Sequence, residues 1–211
     1  EQNVLQAMHD ATPDIVVYTG DMIESPRGIS PLKEFLCRCP DVPSFAIPGN
    51  WEYRSGVSMH AFSKLFDHEG VMWLVNQSVA VPHARTRIRI TGIDDLRCGQ
   101  PNGYRAVKGQ EPALNHLVLA HCPALRNQVT FLPEHSPDLM LSGHTHGGQV
   151  TLGGLPLVLP PGSGGYVAGW YGQESVSRLP ALYVSRGVGT SMLPMRIGSV
   201  PELAIFDWTL S

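Results

Sequence analysis

Four short apolar runs in this chain share one construction. Each carries several consecutive apolar residues, and each breaks off into a turn signal followed by a residue able to bind a metal or a proton. "DIVVYTGD" (residues 14–21) ends in Gly20-Asp21, and "VPSFAIPGNWEY" (42–53) passes through Gly49-Asn50. "HLVLAHCP" (116–123) delivers His121, and "PDLMLSGHTH" (137–146) delivers His144 and His146. Runs of this length and composition, bounded by glycine and proline, predict buried strands. Between them, "SPLKEFLCRC" (30–39) and "GVSMHAFSKLFDHEG" (56–70) space their apolar residues as amphipathic helices do. Alternation of strand and helix favours an α/β fold in which four strand ends bring polar groups to one edge. Beyond residue 75 the pattern changes to "SVAVP", "TRIRITGID", "ALYVSRG" and "PELAIFDW", short strands without intervening helices, which predicts a second, more antiparallel sheet.

The rest of the composition narrows the field. A chain of 211 residues with 43% hydrophobic content can bury one good core, so a single domain spanning residues 1–211 is expected. A formal charge of −3 without a basic stripe makes nucleic acid a poor partner. No stretch approaches the roughly 20 apolar residues of a spanning helix and no signal peptide opens the chain, so a soluble, cytoplasmic protein is expected. Cys37, Cys39, Cys98 and Cys122 form no zinc-finger or redox pair and are expected to be free thiols. With 22 glycines and 18 prolines, much of the chain should be ordered loop; "LPPGSGGYVAGWYG" (159–172) reads as a mobile one.

Asp21, Asn50, His121, His144 and His146 are one carboxylate, one amide and three imidazoles, a donor set suited to Mn²⁺, Fe²⁺ or Zn²⁺. Taken singly, an Asp after Gly is a turn former and a histidine is a satisfied surface or core group. Taken together, four runs ending in ligand-type residues point to a metal. On an extended backbone His144 and His146 would face the same way, two positions apart. Weaker candidates are Arg97 and Arg186, whose guanidinium forks could hold a phosphate but more commonly pair with carboxylates such as Asp94 and Asp95. Glu52, Tyr53 and Arg54 follow Asn50 and would line the pocket or open a helix. His60, His68, His83, His116 and His135 show no ligand spacing, and Cys122 reads as packing rather than nucleophile.

These motifs, Gly20-Asp21, Gly49-Asn50, His121 and Gly143-His144-Thr145-His146, resemble those of the calcineurin-like metallophosphoesterases. The tail "LYVSRGVGTSMLPMRIGSVPELAIF" with "SGHTHGGQV" is similar to a bacterial branch of membrane-associated phosphodiesterases and UDP-2,3-diacylglucosamine hydrolases. The resemblance implies two packed mixed β-sheets flanked by helices, with two divalent ions, manganese first and iron or zinc after it, where strand ends meet. It implies Asp21 as the bridge, with Asn50, His121 and His144 completing one site and His146 joining the other. Asp21, Asn50 and His144 would then carry hydrolysis of a phosphodiester or diphosphate by water. The substrate would be a small or lipid-linked phosphoester met on the cytoplasmic face of a membrane. Two departures bear on this. The family opens with an Asp-x-His strand that residues 1–211 lack, His9-Asp10 being reversed and lying in an expected helix. Trp51 stands where the family has a proton-donating histidine; it would wall a substrate pocket, and without the donor good leaving groups would be favoured. A non-catalytic scaffold that keeps the fold is the rival reading.

Overall fold

A computed structural model describes residues 2–83, 86–131, 133–172 and 179–209; the side chains of His83 and Thr86 lie outside it. Helix α1 (Gln2–Ala11) leads into β1 (Val16–Tyr18). Then come α2 (Ile29–Leu36), β2 (Ser44–Ala46), α3 (Asn50–Arg54), α4 (Met59–His68) and β3 (Val71–Trp73). These three strands form a parallel sheet in the order β1-β2-β3.

The second half adds β4 (Gln77–His83), β5 (Thr86–Ile93), α5 (Gly103–Val107), β6 (Asn115–Ala120) and β7 (Leu139–Ser142). It ends with a hairpin of β8 (Thr151–Leu152) and β9 (Leu155–Pro156), then β10 (Gly169–Tyr171) and β11 (Ala181–Val184). Its six-stranded sheet has the order β10-β11-β7-β6-β5-β4. The four central strands run parallel, and antiparallel β4 and β10 flank them.

Period-two alternation explains how the layers stack. On β2, Phe45 turns toward the other sheet, where it meets Ile90, Leu117, Leu119 and Leu141. Its neighbour Ala46 faces outward against Leu32 and Leu36 of α2 and Phe62 and Phe66 of α4. On β6 the outward residues are Val118 and Ala120, covered by Ala106 of α5 and Leu125. The order through the molecule is therefore helices, small sheet, large sheet, helix and loops, the α/β sandwich expected from the sequence.

Some expectations need correction. The four ligand-bearing strands do not share one edge: β1 and β2 belong to the small sheet, β6 and β7 to the large one, and their carboxyl ends meet between sheets. "PELAIFDW" is not a strand. Its residues do alternate between exposed and half-buried, and Phe206 and Trp208 lie on the core, but no ladder forms. The side chains obey the strand period while their backbone finds no partner strand. The end of "LPPGSGGYVAGWYG" is not free loop either, because Gly169–Tyr171 pairs with β11. All four cysteines are free thiols.

Candidate metal centre

Asp21 and His144 sit in left-handed backbone, with φ of 57° and 70°, where the chain leaves β1 and β7 abruptly. The turn after β7 is also tight at His146, with φ of 51°. The extended geometry expected for His144 and His146 is thus replaced by a turn, which the glycines at 143, 147 and 148 accommodate. The two rings consequently diverge: His144 turns in toward His121, while His146 turns toward Arg196.

At the centre, one ligand atom each from Asp21, His121 and His144 lies within 4.8 Å of the others. His121 Nε2 is 3.1 Å from Asp21 Oδ2 and 3.0 Å from His144 Nδ1. The other nitrogen of each ring is committed to a backbone carbonyl. His121 Nδ1 donates to Thr19 O at 2.7 Å, and His144 Nε2 donates to Pro161 O at 3.0 Å. Carbonyls only accept, so each outer nitrogen carries a proton, and His121 Nε2 and His144 Nδ1 are the nitrogens turned toward the centre. This is the arrangement that orients imidazoles toward a cation.

Electrostatics agree with that geometry. Burial works against charge on Asp21, yet His121 beside it and the Trp51 amide hold its carboxyl below the usual range. Burial likewise opposes a proton on His121, but the Asp21 carboxylate outweighs it and pushes the imidazole up to about 9. His144, partly buried and next to His121, is pushed down to about 4.

Close backbone approach makes room for the cluster. A Cβ on Gly49 would lie 2.3 Å from Asp21 Oδ1 and 2.7 Å from His121 Cε1, and one on Gly20 would lie 2.4 Å from Gly49 N. Behind them Glu52, fully buried, accepts three amides: Asp21 N at 2.8 Å, Met22 N at 2.6 Å and Gly49 N at 2.7 Å. One carboxylate thus ties the loop after β1 to the loop after β2. Burial and the Asp21 charge push its pKa up, and the three amides pull against them.

The remaining candidates divide. Asn50 is buried at the first position of α3, between Gly49 and Trp51, whose amide donates to Asp21 Oδ1 at 2.8 Å. The Trp51 indole donates to Ser191 Oγ at 2.9 Å. His146 is held by its backbone, its carbonyl accepting from Arg196 Nη1 at 2.9 Å and Ser199 Oγ at 2.7 Å. Arg186 pairs with Glu202 at 2.5 Å rather than with Asp94 or Asp95. Arg97 has no ion-pair partner among the described residues, and its Cδ and His144 Nε2 both lie about 3.2–3.3 Å from the space a Gly162 Cβ would fill. Asp95, also fully buried, shapes that loop by accepting from the amides of Arg97 and Cys98 and from the Cys122 thiol. Cys122 is packing, as expected. His60 and His68 are exposed; His116 and His135 are buried away from the centre.

Beside the centre runs a groove of about 570 Å³, walled by Val16 and Val17 of β1, Leu32, Tyr183 and Phe206 and reaching Asp21, His144 and His146. Among the described strands β1 pairs with β2 alone.

Residues 2–148 match the calcineurin-like phosphoesterase family. The chain belongs to that family. It is 30% identical over 203 residues to the phosphodiesterase YaeI of Escherichia coli, covering 92% of this chain and 70% of that protein. It is 29% identical to the uncharacterized metallophosphoesterase YkuE of Bacillus subtilis, over 97% and 71% of the two chains. A zebrafish transmembrane protein with a metallophosphoesterase domain is 29% identical, covering 96% of this chain and 47% of that one. Among solved structures, the sulfate thiohydrolase SoxB of Thermus thermophilus aligns with a TM-score of 0.48 at 12% identity, over 87% of this chain and 36% of that one. The calcineurin-like phosphoesterase is therefore an enzyme of metal-dependent phosphoester hydrolysis.

Proposed function

We propose that this phosphoesterase hydrolyses a phosphodiester or diphosphate whose leaving group is already acidic, with a lipid-linked diphosphate as the substrate class. The observation that carries the reading is the convergence of His121 Nε2, His144 Nδ1 and Asp21 Oδ2, each ring locked by a carbonyl on its far side. These three groups, with the Asn50 amide, would hold a divalent ion, manganese by the mixture of carboxylate, amide and imidazole. His146 would join a second ion that Asp21 shares. When bound, the ions supply Lewis-acid polarisation of the phosphoryl group and activate water for in-line attack.

The protein's own residues set what surrounds that chemistry. The Trp51 indole, which donates to Ser191 Oγ, can give a hydrogen bond but cannot transfer a proton, so it would wall the substrate pocket without acting as an acid. Loss of general-acid help costs roughly 10²- to 10⁴-fold on a poor leaving group and little on a good one. Arg97, without an ion pair among the described residues and with its Cδ near the same space beside Gly162 as His144 Nε2, would hold a phosphate oxygen. Two measurements test the reading. Asp21→Asn should abolish hydrolysis of a bis-nitrophenyl phosphate while His60→Ala leaves it intact; equal activity of wild type and Asp21→Asn would refute the site. A plot of rate against leaving-group pKa should be steeper for wild type than for Trp51→His, and equal slopes would remove the argument for diphosphates.

A further inference from the structure

Residues 147–172 contain no Asp, Glu, Lys or Arg, and in residues 187–200 the single charge is Arg196. Arg196 is turned inward, where it binds the carbonyls of Arg186, Gly187 and His146. Most of the large side chains these two segments turn outward are aliphatic or thioether, Trp170 being the aromatic exception. Leu152 and Leu155 flank the Gly153-Gly154 hairpin tip at 76% and 73% exposure, followed by Leu157 and Val158. From the other segment Met192 is 85% exposed, with Leu193 next to it at 55% and Met195 three residues on at 51%. Single exposed leucines call for no explanation, but a set gathered on one surface does.

The two segments form one surface because their backbones are cross-bonded. Val150 bridges to Ile197 and Gly198, Thr151 N donates to Ile197 O, and the Gln149 side chain donates to the carbonyls of Ser191 and Leu193. They are also part of the wall of the metal centre. Gln149 follows the His144–Gly148 turn, Pro161 O accepts from His144, and Ser191 accepts from the Trp51 indole.

We infer that this surface is a membrane-docking face, seating the hairpin tip of residues 152–155 and the residue 192–195 loop in the lipid interface with the metal centre at its margin. Protein interfaces are built round aromatic and arginine anchors with polar rims and hydrogen bonds to share. These two tips offer only aliphatic and thioether side chains, and they have no charge to desolvate. That composition suits hydrocarbon, where any unpaired polar group is costly. At the rim the Glu24 carboxylate accepts from Met192 N. Docking would bring the catalytic centre to a phosphoester carried by a lipid; this substrate half rests on the proposed phosphoesterase reading, while the surface itself does not.

The test is flotation of the 211-residue chain with phosphatidylcholine vesicles, with and without phosphatidylglycerol, beside hydrolysis of a soluble diester. Wild type should float with both vesicle types, and the Leu152→Asp/Leu155→Asp pair should bind at least about tenfold more weakly, because burying one leucine is worth about that factor. The pair should hydrolyse the soluble diester as wild type does, which shows that it is folded. Wild type that stays unbound, or a double variant that binds equally, overturns the docking face. Binding confined to anionic vesicles and abolished by salt makes the contact electrostatic and also overturns it. A wild-type dimer that becomes monomeric in the double variant assigns the surface to a second copy of the chain instead. Loss of diester hydrolysis in wild type would undo the phosphoesterase reading while leaving the flotation result standing.

Discussion

At the scale of single residues, Glu52 shows how much of a metal centre lies outside its ligands. Its contact with Gly49 N is the helix-entry role its position suggests, yet from full burial it also accepts the amides of Asp21 and Met22, some thirty residues earlier. An amide side chain in its place could accept with one end only and would press N–H against N–H at the other. Hydrogen bonds to a charged acceptor contribute roughly 1.5–3 kcal/mol each, so Glu52→Gln should destabilise the fold by about 2–3 kcal/mol. That corresponds to a fall in melting temperature of roughly 5–10 °C for a chain of this length. Calorimetry measures it, and manganese titration should show weaker binding alongside; an unchanged melting temperature with unchanged affinity would remove Glu52 from this role.

At the scale of elements, the loops after β1 and β2 interlock so closely that side-chain volume cannot be added between them. Gly49 has an ordinary φ of −102°, so its requirement for glycine is steric: a methyl would stand 2.3 Å from Asp21 Oδ1. Gly49→Ala must therefore push the Asp21 carboxylate and the His121 ring apart, a strain of about 1–3 kcal/mol. We expect manganese affinity to fall at least about tenfold while far-ultraviolet circular dichroism stays native. Full affinity in Gly49→Ala would mean that the two loops part without cost.

At the scale of the whole molecule, one buried histidine couples stability to pH. His116 on β6 donates through Nδ1 to His135 O and accepts at Nε2 from Thr91, a network complete for the neutral ring. Burial pushes its pKa from 6.5 down to about 4. Because the folded state resists the proton, its contribution is full above pH 6.5 and is lost as pH falls toward 4, amounting to about 3 kcal/mol. His116→Gln should accordingly flatten the decline of unfolding free energy between pH 6.5 and 4; parallel curves for the two proteins would exclude His116 as a source. Metal stoichiometry is the second global property. The converging group is Asp21, His121 and His144, and His146 stands outside it with its Nδ1 toward Arg196. Titration should find about one tight manganese ion per chain, with a second only at high metal or with phosphate present. Two equally tight ions would show that His146 swings inward on binding.

The apolar runs and the turn residues after them made the strands β1, β2, β6 and β7 and their terminal Asp21, Asn50, His121 and His144 legible before any coordinates, because strand period and turn chemistry are local. Likewise local were α2 and α4 and the packing role of Cys122. Pairing is not local. The division of the four strands between two sheets, the failure of "PELAIFDW" to find a ladder, and the pairing of β10 with β11 depend on which backbone lies alongside, and alternation alone cannot tell a strand from an extended segment lying on the core. The same holds inside the site. That His144 and His146 diverge is due to left-handed turns whose direction is settled by contacts with Pro161 and Arg196, 17 and 50 residues further along the chain. Glu52 capping α3 at Gly49 is local, but its reach to Asp21 and Met22, like Thr19 O and Arg196, could not be read from a motif, since each acts on groups remote in sequence. Ligand types are written in the order of the residues; which lone pair faces the cation is decided only when the sheets close on one another.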